Sequence, residues 1–394
     1  MTKLGEIADL QAGVGFPPRL QGRTEGHFPF AKVGDISSTA RSGGQLLTSA
    51  RNYVSREDLV SLKARVVPRG STLFAKIGEA IAQNFRVMAG TDLLIDNNAM
   101  AAIPRDTVAP RYLYRFLQTV DMYQMASTTS VPSLRKSDLE RIEVPLPPLP
   151  EQRRIADILD RADDLRAKRR RALSLLNTLA NSAFNDMFGD PAVNAKAWPV
   201  ASIGEMAKKF SDGPFGSNLK SSDYRDAGVR VIRLQNIGVG HFNDSDRAYI
   251  SVEHFESLRK HECVPGDVLI GTLGDPNLRA TIQPDWLDTA INKADCVQLR
   301  PDPARVTAEY VAALINHPST MMMASGLVLG QTRSRISMGR LRTLRLPIPP
   351  IELQRLFTSR VQRVQLLRAQ HLNEISTLDE LFASLQHRAF QGEL

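Results

Sequence analysis

A proline-rich segment followed by a long helical pattern occurs twice in the chain. Val144-Pro145-Leu146-Pro147-Pro148-Leu149 recurs as Leu346-Pro347-Ile348-Pro349-Pro350-Ile351, and the two copies lie 202 residues apart (347 − 145). Each copy leads into about 40 residues of helical periodicity without an internal glycine. A period this long exceeds the roughly 20–50 residues of a solenoid repeat. The chain is therefore predicted to be a duplication of one globular domain followed by one long helix.

The repeat predicts an α+β fold with four segments. Residues 1–146 and 191–348 contain short apolar runs punctuated by glycine and proline, a pattern typical of mixed α/β domains. Residues 147–190 and 349–394 are predicted to be the two long helices. The prolines at both helix entrances favour extended chain and are expected to form stiff joints between domain and helix.

The two predicted domains correspond to each other in short pieces. Leu4-Gly5-Glu6-Ile7-Ala8 corresponds to Ile203-Gly204-Glu205-Met206-Ala207, and Lys32-Val33-Gly34-Asp35-Ile36 corresponds to Arg233-Leu234-Gln235-Asn236-Ile237. The spacing between corresponding pieces varies along the chain. We therefore expect a shared scaffold whose connecting loops differ between the two domains.

Apolar residues in both helical segments are spaced by alternating threes and fours, which is the pattern of a coiled coil. The predicted seam consists of Ile155, Ile158, Ala162, Leu165, Leu176, Leu179, Val361, Val364, Ile375, Leu378 and Leu385. Forty helical residues span roughly 60 Å, which exceeds the width expected of either domain. Packing of the helices against each other as an antiparallel coiled coil is therefore favoured over packing of each helix along its own domain.

Composition narrows the class of partner. The net charge is +8, and arginine outnumbers lysine roughly three to one, a bias suited to phosphate and guanine contacts. No stretch approaches the ~18 apolar residues of a membrane span, and the N-terminal residues lack the pattern of a signal peptide. With only two cysteines, a cytoplasmic protein without disulfides or membrane contact is expected.

Motifs for catalysis and for metal binding are missing from the sequence. It has no phosphate-binding P-loop, no G-x-S-x-G elbow, no H-E-x-x-H and no Asp-Pro-Pro or Asn-Pro-Pro loop of an amino-methyltransferase. A zinc site from His254, His261, Cys263 and Cys296 lacks the close ligand pairs of known zinc motifs. We therefore predict no catalytic residue, no metal site and no cofactor in this chain.

Basic and amide side chains in both domains are candidates for contacts with double-stranded DNA, since Arg and Lys reach phosphates and guanine while Asn and Gln can read adenine. The predicted DNA-binding residues are Lys32, Lys76, Asn97, Asn98, Arg135, Lys136, Arg233, Gln235, Asn236, Arg279, Asn292, Lys293, Gln331, Arg333 and Arg335. The densest group is Gln331-Thr332-Arg333-Ser334-Arg335. A solvated surface is the alternative interpretation for any one of them.

The chain resembles the specificity subunits of type I restriction–modification systems over essentially its whole length. The most specific element is the joint from Val144 to Ala156, where Glu151 and Gln152 follow the prolines. In the second joint the glutamine is retained as Gln354, whereas the acidic residue is displaced to Glu352.

The resemblance implies two target-recognition domains, each reading one half of a bipartite, asymmetric DNA target. The helix pair would set the gap between the half-sites and dock two methyltransferase subunits, which would bring S-adenosylmethionine and the chemistry. A restriction–translocase subunit can join such a complex. In this interpretation the chain itself is a non-catalytic specificity subunit.

Two other classes of protein stay open on the sequence. A stand-alone DNA-modifying enzyme with unfamiliar motifs would modify DNA without a second protein. A coiled-coil adaptor without a DNA role would show no salt-dependent binding to duplex DNA.

Overall fold

A computed structural model describes residues 1–127, 130–274, 276–329 and 335–394. The chain divides into two compact units: the first comprises Met1–Arg171 and Leu372–Leu394, and the second comprises Ala172–His371. The division falls inside both long helices, so each unit contains part of each helix. The domain boundaries expected from the sequence remain predictions.

The first globular part alternates short strands and helices. Its strands and α-helices are β1 Thr2–Lys3, α1 Leu4–Ile7, β2 Ala8–Ala12, β3 Phe28–Ala31, α2 Val33–Arg41, β4 Leu46–Leu47, β5 Tyr53–Val54, α3 Arg56–Leu62, β6 Thr72–Ala75, β7 Val87–Ala89, β8 Leu94–Ile95, β9 Ala99–Pro104, α4 Pro110–Thr119, α5 Lys136–Leu139 and β10 Glu143–Val144. Short 3-10 helices occupy Pro18–Leu20, Glu79–Ile81 and Tyr123–Met125. The long helix α6, Leu149–Phe188, follows β10.

The second globular part repeats this succession. Its elements are β11 Val200–Ser202, β12 Ala207–Ser211, β13 Val229–Ile232, β14 Tyr249–Ile250, α7 Val252–Ser257, β15 Glu262–Cys263, β16 Val268–Gly271, β17 Arg279–Ile282, β18 Ala290–Asn292, β19 Cys296–Pro301, α8 Ala308–Asn316, α9 Pro318–Ser325, β20 Val328–Leu329, β21 Arg335–Ile336, α10 Met338–Thr343 and β22 Arg345–Pro347. Short 3-10 helices lie at Ile203–Met206, Gly216–Asn218, Ser221–Asp223, Leu234–Asn236 and Arg259–His261. The second long helix is α11, Ile351–Gln391.

Sheet topology shows that the two units share one scaffold. The order β2-β9-β6-β7 in the first unit corresponds to β12-β19-β16-β17 in the second, and β5-β3-β8 corresponds to β14-β13-β18. The additions differ, because β4 extends the first sheet and β15 extends the smaller sheet of the second unit. The α+β class with two related domains, predicted from the repeat, is confirmed.

The central strands are apolar on both faces because a core lies on each side of them. In β6, Leu73 belongs to one buried cluster and Phe74 to another. In β16, Leu269 and Ile270 divide between two clusters in the same way. Alternate side chains of a strand point to opposite faces, so a strand covered on both sides has an uninterrupted apolar run.

The long helices pack antiparallel within each unit. In the first unit, Arg166 Nε lies 2.6 Å from Asp379 Oδ1, while Arg154 Nη2 donates to the backbone carbonyl of Leu394 at 2.6 Å. In the second unit, Phe184 near the end of α6 meets Phe357 near the start of α11, with ring centroids 5.8 Å apart. The predicted antiparallel pairing of the helices is thus confirmed.

The buried faces of the helices differ in part from the predicted seam. Ile155 is buried, whereas Ile158, Ala162, Leu176, Val361, Val364, Ile375, Leu378 and Leu385 are partly buried. Leu165 and Leu179 are 51% and 49% exposed. An α-helix turns every 3.6 residues, so a seam written with a strict 3.5-residue spacing drifts off the buried face. The largest buried side chains of the helices are aromatic, namely Phe184, Phe188, Phe357 and Phe382.

The helix ends also contribute to the cores of the globular parts. Ile155 and Leu159 share a buried cluster with Tyr112, while Phe188 shares one with Tyr310. Each helix therefore packs on its partner helix and on a domain at once, whereas the sequence presented these two arrangements as alternatives.

A buried glutamine secures each joint in the same way. Gln152 Oε1 accepts from Ala109 N at 2.8 Å, and its Nε2 donates to the carbonyls of Thr107 and Pro147 at 3.2 and 2.8 Å. Gln354 repeats this pattern with Thr307 N at 3.0 Å and the carbonyls of Arg305 and Pro349 at 3.0 and 2.8 Å. These bonds tie the first turn of each long helix to the loop that precedes α4 in the first unit and α8 in the second.

The displaced acidic residue of the second joint keeps its ion pair. Glu151 lies 2.7 Å from Arg154, and Glu352 lies 2.7 Å from Arg355, so both acids bind an arginine three residues later. Both pairs are exposed and contribute little to stability.

Candidate nucleic-acid interface

Several sequence-predicted residues of the first unit meet where three strands end. The strands β3 and β8 are parallel and end together at Ala31 and Ile95, which places Lys32 beside Asp96-Asn97-Asn98. Lys76 follows β6, and its backbone amide donates to Asn98 O at 2.7 Å. Leu134 N donates in turn to Lys76 O at 2.9 Å, which brings Ser133 to the same place. We call Lys32, Lys76, Asp96–Asn98 and Ser133 the strand-end edge of the first unit.

The second unit builds the same edge with other side chains. The parallel strands β13 and β18 end at Ile232 and Asn292, so Arg233 lies beside Lys293-Ala294-Asp295. Thr272 N donates to Asp295 O at 3.0 Å, and Ile336 N donates to Thr272 O at 3.0 Å, which brings Arg335 to the place of Ser133. The strand-end edge of the second unit is Arg233, Thr272, Lys293–Asp295 and Arg335.

A repeated backbone cap fixes the first basic residue of each edge. Asp35 Oδ2 accepts from Lys32 N at 2.9 Å, and Asn236 Oδ1 accepts from Arg233 N at 2.8 Å. Both capping side chains are buried. The correspondence between Lys32–Ile36 and Arg233–Ile237 therefore encodes a turn that places a basic side chain directly after a buried strand.

A glycine lets a loop cross the end of the parallel strands in each unit. A Cβ on Gly13 would lie 2.1 Å from Asp96 O, and one on Gly213 would lie 2.2 Å from the carbonyl carbon of Lys293. No residue with a side chain fits at that distance. The crossing places Phe16 next to Lys32 in the first unit, and it places Phe215 at the edge of the second.

Cations stack on aromatic rings at both edges. Lys32 Nζ lies 5.0 Å from the centroid of the Phe16 ring. In the second unit, Tyr224 contacts two cations, with Arg233 Cζ 5.4 Å and Lys293 Nζ 5.1 Å from its ring. Such contacts order long basic side chains. In the second unit Lys293 Nζ also donates to Tyr224 Oη at 2.8 Å.

The two edges differ in electrostatics. In the second unit, Arg233 forms an ion pair with Asp246. The lysines Lys32 and Lys76 of the first unit have no ion pair with any residue that the structure describes. Burial raises the pKa of Asp96 behind Lys32, although hydrogen bonds from Asn98 and the positive charge of Lys32 oppose the increase. The basic side chains of the first edge thus lack ion pairs among the described residues, whereas Arg233 and Arg335 of the second edge each face a carboxylate.

Other predicted residues lie outside the edges or in the interior. Arg135 and Lys136 are exposed at the start of α5, and Gln235 is exposed in the turn after Arg233. Arg279 donates to the backbone carbonyls of Ile237, Leu273, Pro276 and Leu234 at 2.7 to 3.0 Å, so its guanidinium holds two loops together. Gln331 and Arg333 lie outside the described residues.

Two predicted amides are structural in this conformation. Asn236 Nδ2 donates to the carbonyls of Asn243 and Asp246 at 2.9 and 2.7 Å, and Asn292 Nδ2 donates to Cys296 O at 2.6 Å. Both side chains are fully buried. A base contact would require each to leave the core, so we assign them to holding the loops of the second edge.

Sequence reasoning missed the aromatic and acidic members of the edges. Phe16, Phe215 and Tyr224 were not predicted, nor were Asp246 and Asp295. A signal was present for the phenylalanines, because each comes two or three residues after the glycine of the strand crossing. The ion pairs left no local signal, since their partners lie 13 and 40 residues apart in the chain.

The part of the chain that the structure describes contains neither a cluster of metal ligands nor a helix that could span a membrane. That part contains no group of three or more His, Cys, Asp or Glu side chains suited to a metal ion. Among the same residues, no helix combines the length and apolar character required to cross a bilayer.

Comparisons with known proteins agree with the duplicated scaffold. Residues 1–174 match the family model of the type I restriction modification DNA specificity domain. The first 174 residues, a little under half of the chain, are thus similar to that domain. The match covers the first unit's globular part, and the second unit is related to it by the repeat of strands and joints.

The MjaVIII specificity subunit of Methanocaldococcus jannaschii is 22% identical over 267 residues, which cover 64% of this chain and 63% of the relative. The chain spans about six tenths of the length of the curated relatives it matches first. A crystal structure of a type I restriction–modification S subunit from M. genitalium has a TM-score of 0.58 at 14% identity, covering 98% of this chain and 95% of that one. A structure from a study of complex assembly in a type I system has a TM-score of 0.59 at 19% identity, covering 100% and 97%. These likenesses show the fold.

Proposed function

We propose that this chain is the non-catalytic DNA-recognition subunit of a type I restriction–modification complex. Each unit reads one half of a bipartite target in double-stranded DNA. The observation that carries the proposal is the strand-end edge, because the same backbone arrangement occurs in both units with basic side chains and neighbouring aromatic rings, and with amides in the first unit. Such side chains supply phosphate contacts and base readout.

The two half-sites differ in sequence. Equivalent positions of the edges carry Lys32 and Arg233, Asn98 and Asp295, or Ser133 and Arg335. Because amides, carboxylates and guanidinium groups recognise different base edges, two identical half-sites would not suit both units. The target is therefore asymmetric rather than palindromic.

Electrostatics supplies much of the affinity. The chain has a net charge of +8, and the lysines of the first edge lack ion pairs among the described residues. Binding to duplex DNA is expected to weaken as salt rises, because each phosphate contact releases bound counterions.

The helix pair sets the gap between the half-sites and docks two methyltransferase subunits, which bring S-adenosylmethionine. Apolar side chains in the middle of the two helices are exposed to solvent: Leu175 is 69% exposed and Leu366 is 68% exposed. Exposed leucines on charged helices suit docking of a further protein. A restriction–translocase subunit can join the same complex.

Mapping of adenine methylation in the host genome, with and without this gene, tests the function. Loss of one gapped, asymmetric motif on deletion is the expected result. If deletion alters no mark, the specificity role is wrong. DNA modification by the purified chain alone would identify a stand-alone enzyme, while the absence of salt-dependent duplex binding would identify an adaptor without a DNA role.

Inserting seven residues after Leu176, with a matching heptad opposite in α11, tests the spacer. The gap in the methylated motif is expected to change while both half-sites stay the same, because a heptad keeps the helix face in register. Substituting seven exposed residues without an insertion serves as the control. A motif with an unchanged gap would show that the helices do not set it.

A further inference from the structure

One arginine of the second edge is held on two sides. Arg335 Nε lies 2.8 Å from Asp295 Oδ1, and Arg335 Cζ lies 5.1 Å from the centroid of the Phe215 ring. An antiparallel bridge to Leu273 fixes its backbone. The side chain nevertheless remains 40% exposed, and Phe215 beside it is 42% exposed. The cluster thus orients a guanidinium at the surface instead of burying it.

The pairing leaves the far end of this guanidinium available. The closest approach of Asp295 is to Nε, and no hydrogen bond joins Nη1 or Nη2 to the residues that the structure describes. Two terminal nitrogens in one plane present parallel N–H groups, which match the O6 and N7 acceptors of guanine in the major groove. A lysine has no such fork.

The other predicted arginines of this unit that the structure describes, Arg233 and Arg279, are engaged elsewhere. Arg279 uses Nε, Nη1 and Nη2 on four backbone carbonyls. Arg233 directs Nη2 to Asp246 and is 20% exposed at its side chain. Arg335 is therefore the described arginine of this edge that is both oriented and open.

The corresponding place in the first unit cannot make the same contact. Ser133 takes the position of Arg335, since it bridges to Ile77 as Arg335 bridges to Leu273. Asn98 takes the position of Asp295, since the backbone carbonyl of each accepts a hydrogen bond from the amide of the residue after the equivalent strand, Lys76 or Thr272. A short hydroxyl there cannot reach a base edge through a fork.

We propose that Arg335 reads a guanine in the half-site of the second unit, with Nη1 and Nη2 donating to O6 and N7, while Asp295 and Phe215 act as positioning residues. This inference rests on the proposed function, and it specifies which base is read in the second half-site and which residue reads it. The equivalent position of the other half-site lacks this contact, so the guanine requirement is confined to one side of the gap.

Replacing the chromosomal gene in the host by Arg335→Lys and mapping adenine methylation tests the inference in the complete complex. The variant keeps the positive charge but loses the fork. Discrimination of one guanine against adenine is expected to fall by about 5- to 100-fold, the value of a good bidentate contact. The other half-site and the gap are expected to stay unchanged.

Asp295→Asn tests the positioning role. It is expected to relax the same base position by a smaller factor, and to cause no further loss when combined with Arg335→Lys, because both act on one contact. Arg305→Lys is the matched control, an exposed arginine beyond the opposite end of β19. It is expected to leave the motif unchanged.

A binding measurement on the wild-type complex tests the same contact even if a substituted chain fails to fold. The wild-type complex is titrated with duplexes of the mapped motif in which each guanine in turn is 7-deazaguanine, which lacks the N7 acceptor. Replacing one particular guanine, in a single half-site, is expected to lower the affinity for the duplex at least about 5-fold. If no guanine is sensitive, or if Arg335→Lys keeps full discrimination everywhere, the inference is overturned while the mapped motif preserves the proposed function. If the wild type marks no motif, both are overturned.

Discussion

Arg115 provides the strongest test of how the first unit holds the long helices. Its side chain is fully buried on α4, with Nε donating to Asp160 at 2.8 Å and Nη1 donating to Asp163 at 2.9 Å. Both carboxylates belong to α6. The guanidinium also lies 5.7 Å from the Phe382 ring of α11. One buried cation thus contacts both helices of the pair.

The carboxylates raise the pKa of Arg115 even though its burial acts in the opposite direction, so the group stays charged. Replacing Arg115 by Met keeps an unbranched apolar stem but removes the guanidinium, which leaves Asp160 and Asp163 without their buried partner. Removing one member of a buried pair costs about 3–5 kcal/mol when the other is left uncompensated. Here Arg111 and Arg166 still contact the two carboxylates at 2.7 and 2.9 Å. We therefore expect a local loss of about 2–3 kcal/mol.

Native-state hydrogen exchange of amides in α4 and in the first half of α6 measures this loss directly. A drop of 2–3 kcal/mol corresponds to exchange about 30- to 150-fold faster. Arg111→Ala is the matched control, since Arg111 lies on the same helix, shares Asp160 and is 51% exposed. Exposed pairs contribute about 1 kcal/mol or less, so its amides should accelerate less than about 5-fold.

The two variants discriminate between burial and pairing as the source of stability. Equal acceleration in Arg115→Met and Arg111→Ala would refute the reasoning, because it would mean that burial of the cation adds nothing. Amides of α8 in the second unit are expected to exchange at the wild-type rate in both variants.

Three further outcomes follow from the joints, the edge and the cysteines. Gln152→Ala should lower the free energy of unfolding by about 2–3 kcal/mol in thermal or urea denaturation, because it leaves buried backbone groups unpaired, while the exposed Glu151→Ala should cost about 1 kcal/mol or less. Gly213→Ala should weaken reading of the second half-site in methylation maps and leave the first intact, because the added Cβ overlaps the backbone after β18. Burial raises the pKa of Cys296 to about 12 and that of Cys263 well above its usual value, so a thiol reagent at pH 8 should label neither until the protein is unfolded.

The architecture could be read from the sequence because its signals are local and occur twice. The proline joint, the glutamine that follows it and the long uninterrupted helices are all contiguous segments. Lys32 after β3 and Arg233 after β13 were predicted for the same reason, since each belongs to a short segment that occurs in both units. In both segments a capping side chain follows three residues later.

Assignment of individual side chains could not be completed from the sequence. Asn236 and Asn292 have the residue type of base readers, yet they are buried and bonded to backbone. Arg279 is of a residue type that often contacts DNA, yet its guanidinium already donates hydrogen bonds to four backbone carbonyls. Residue type states which bonds a side chain can form, whereas its neighbours in space determine which bonds remain free.

The recurring proline-rich joint and the apolar spacing after it were enough to predict a duplicated pair of α/β domains, each followed by a long helix, because these signals lie within single segments of the chain. Pairing of strands far apart in the chain was needed to bring Arg335 to Asp295 and Phe215, which lie 40 and 120 residues away. The function of that arginine depends on which of its nitrogens are already engaged. Contacts of this kind form only when strands that are distant in the sequence pair with each other, so they leave no periodic pattern in the sequence.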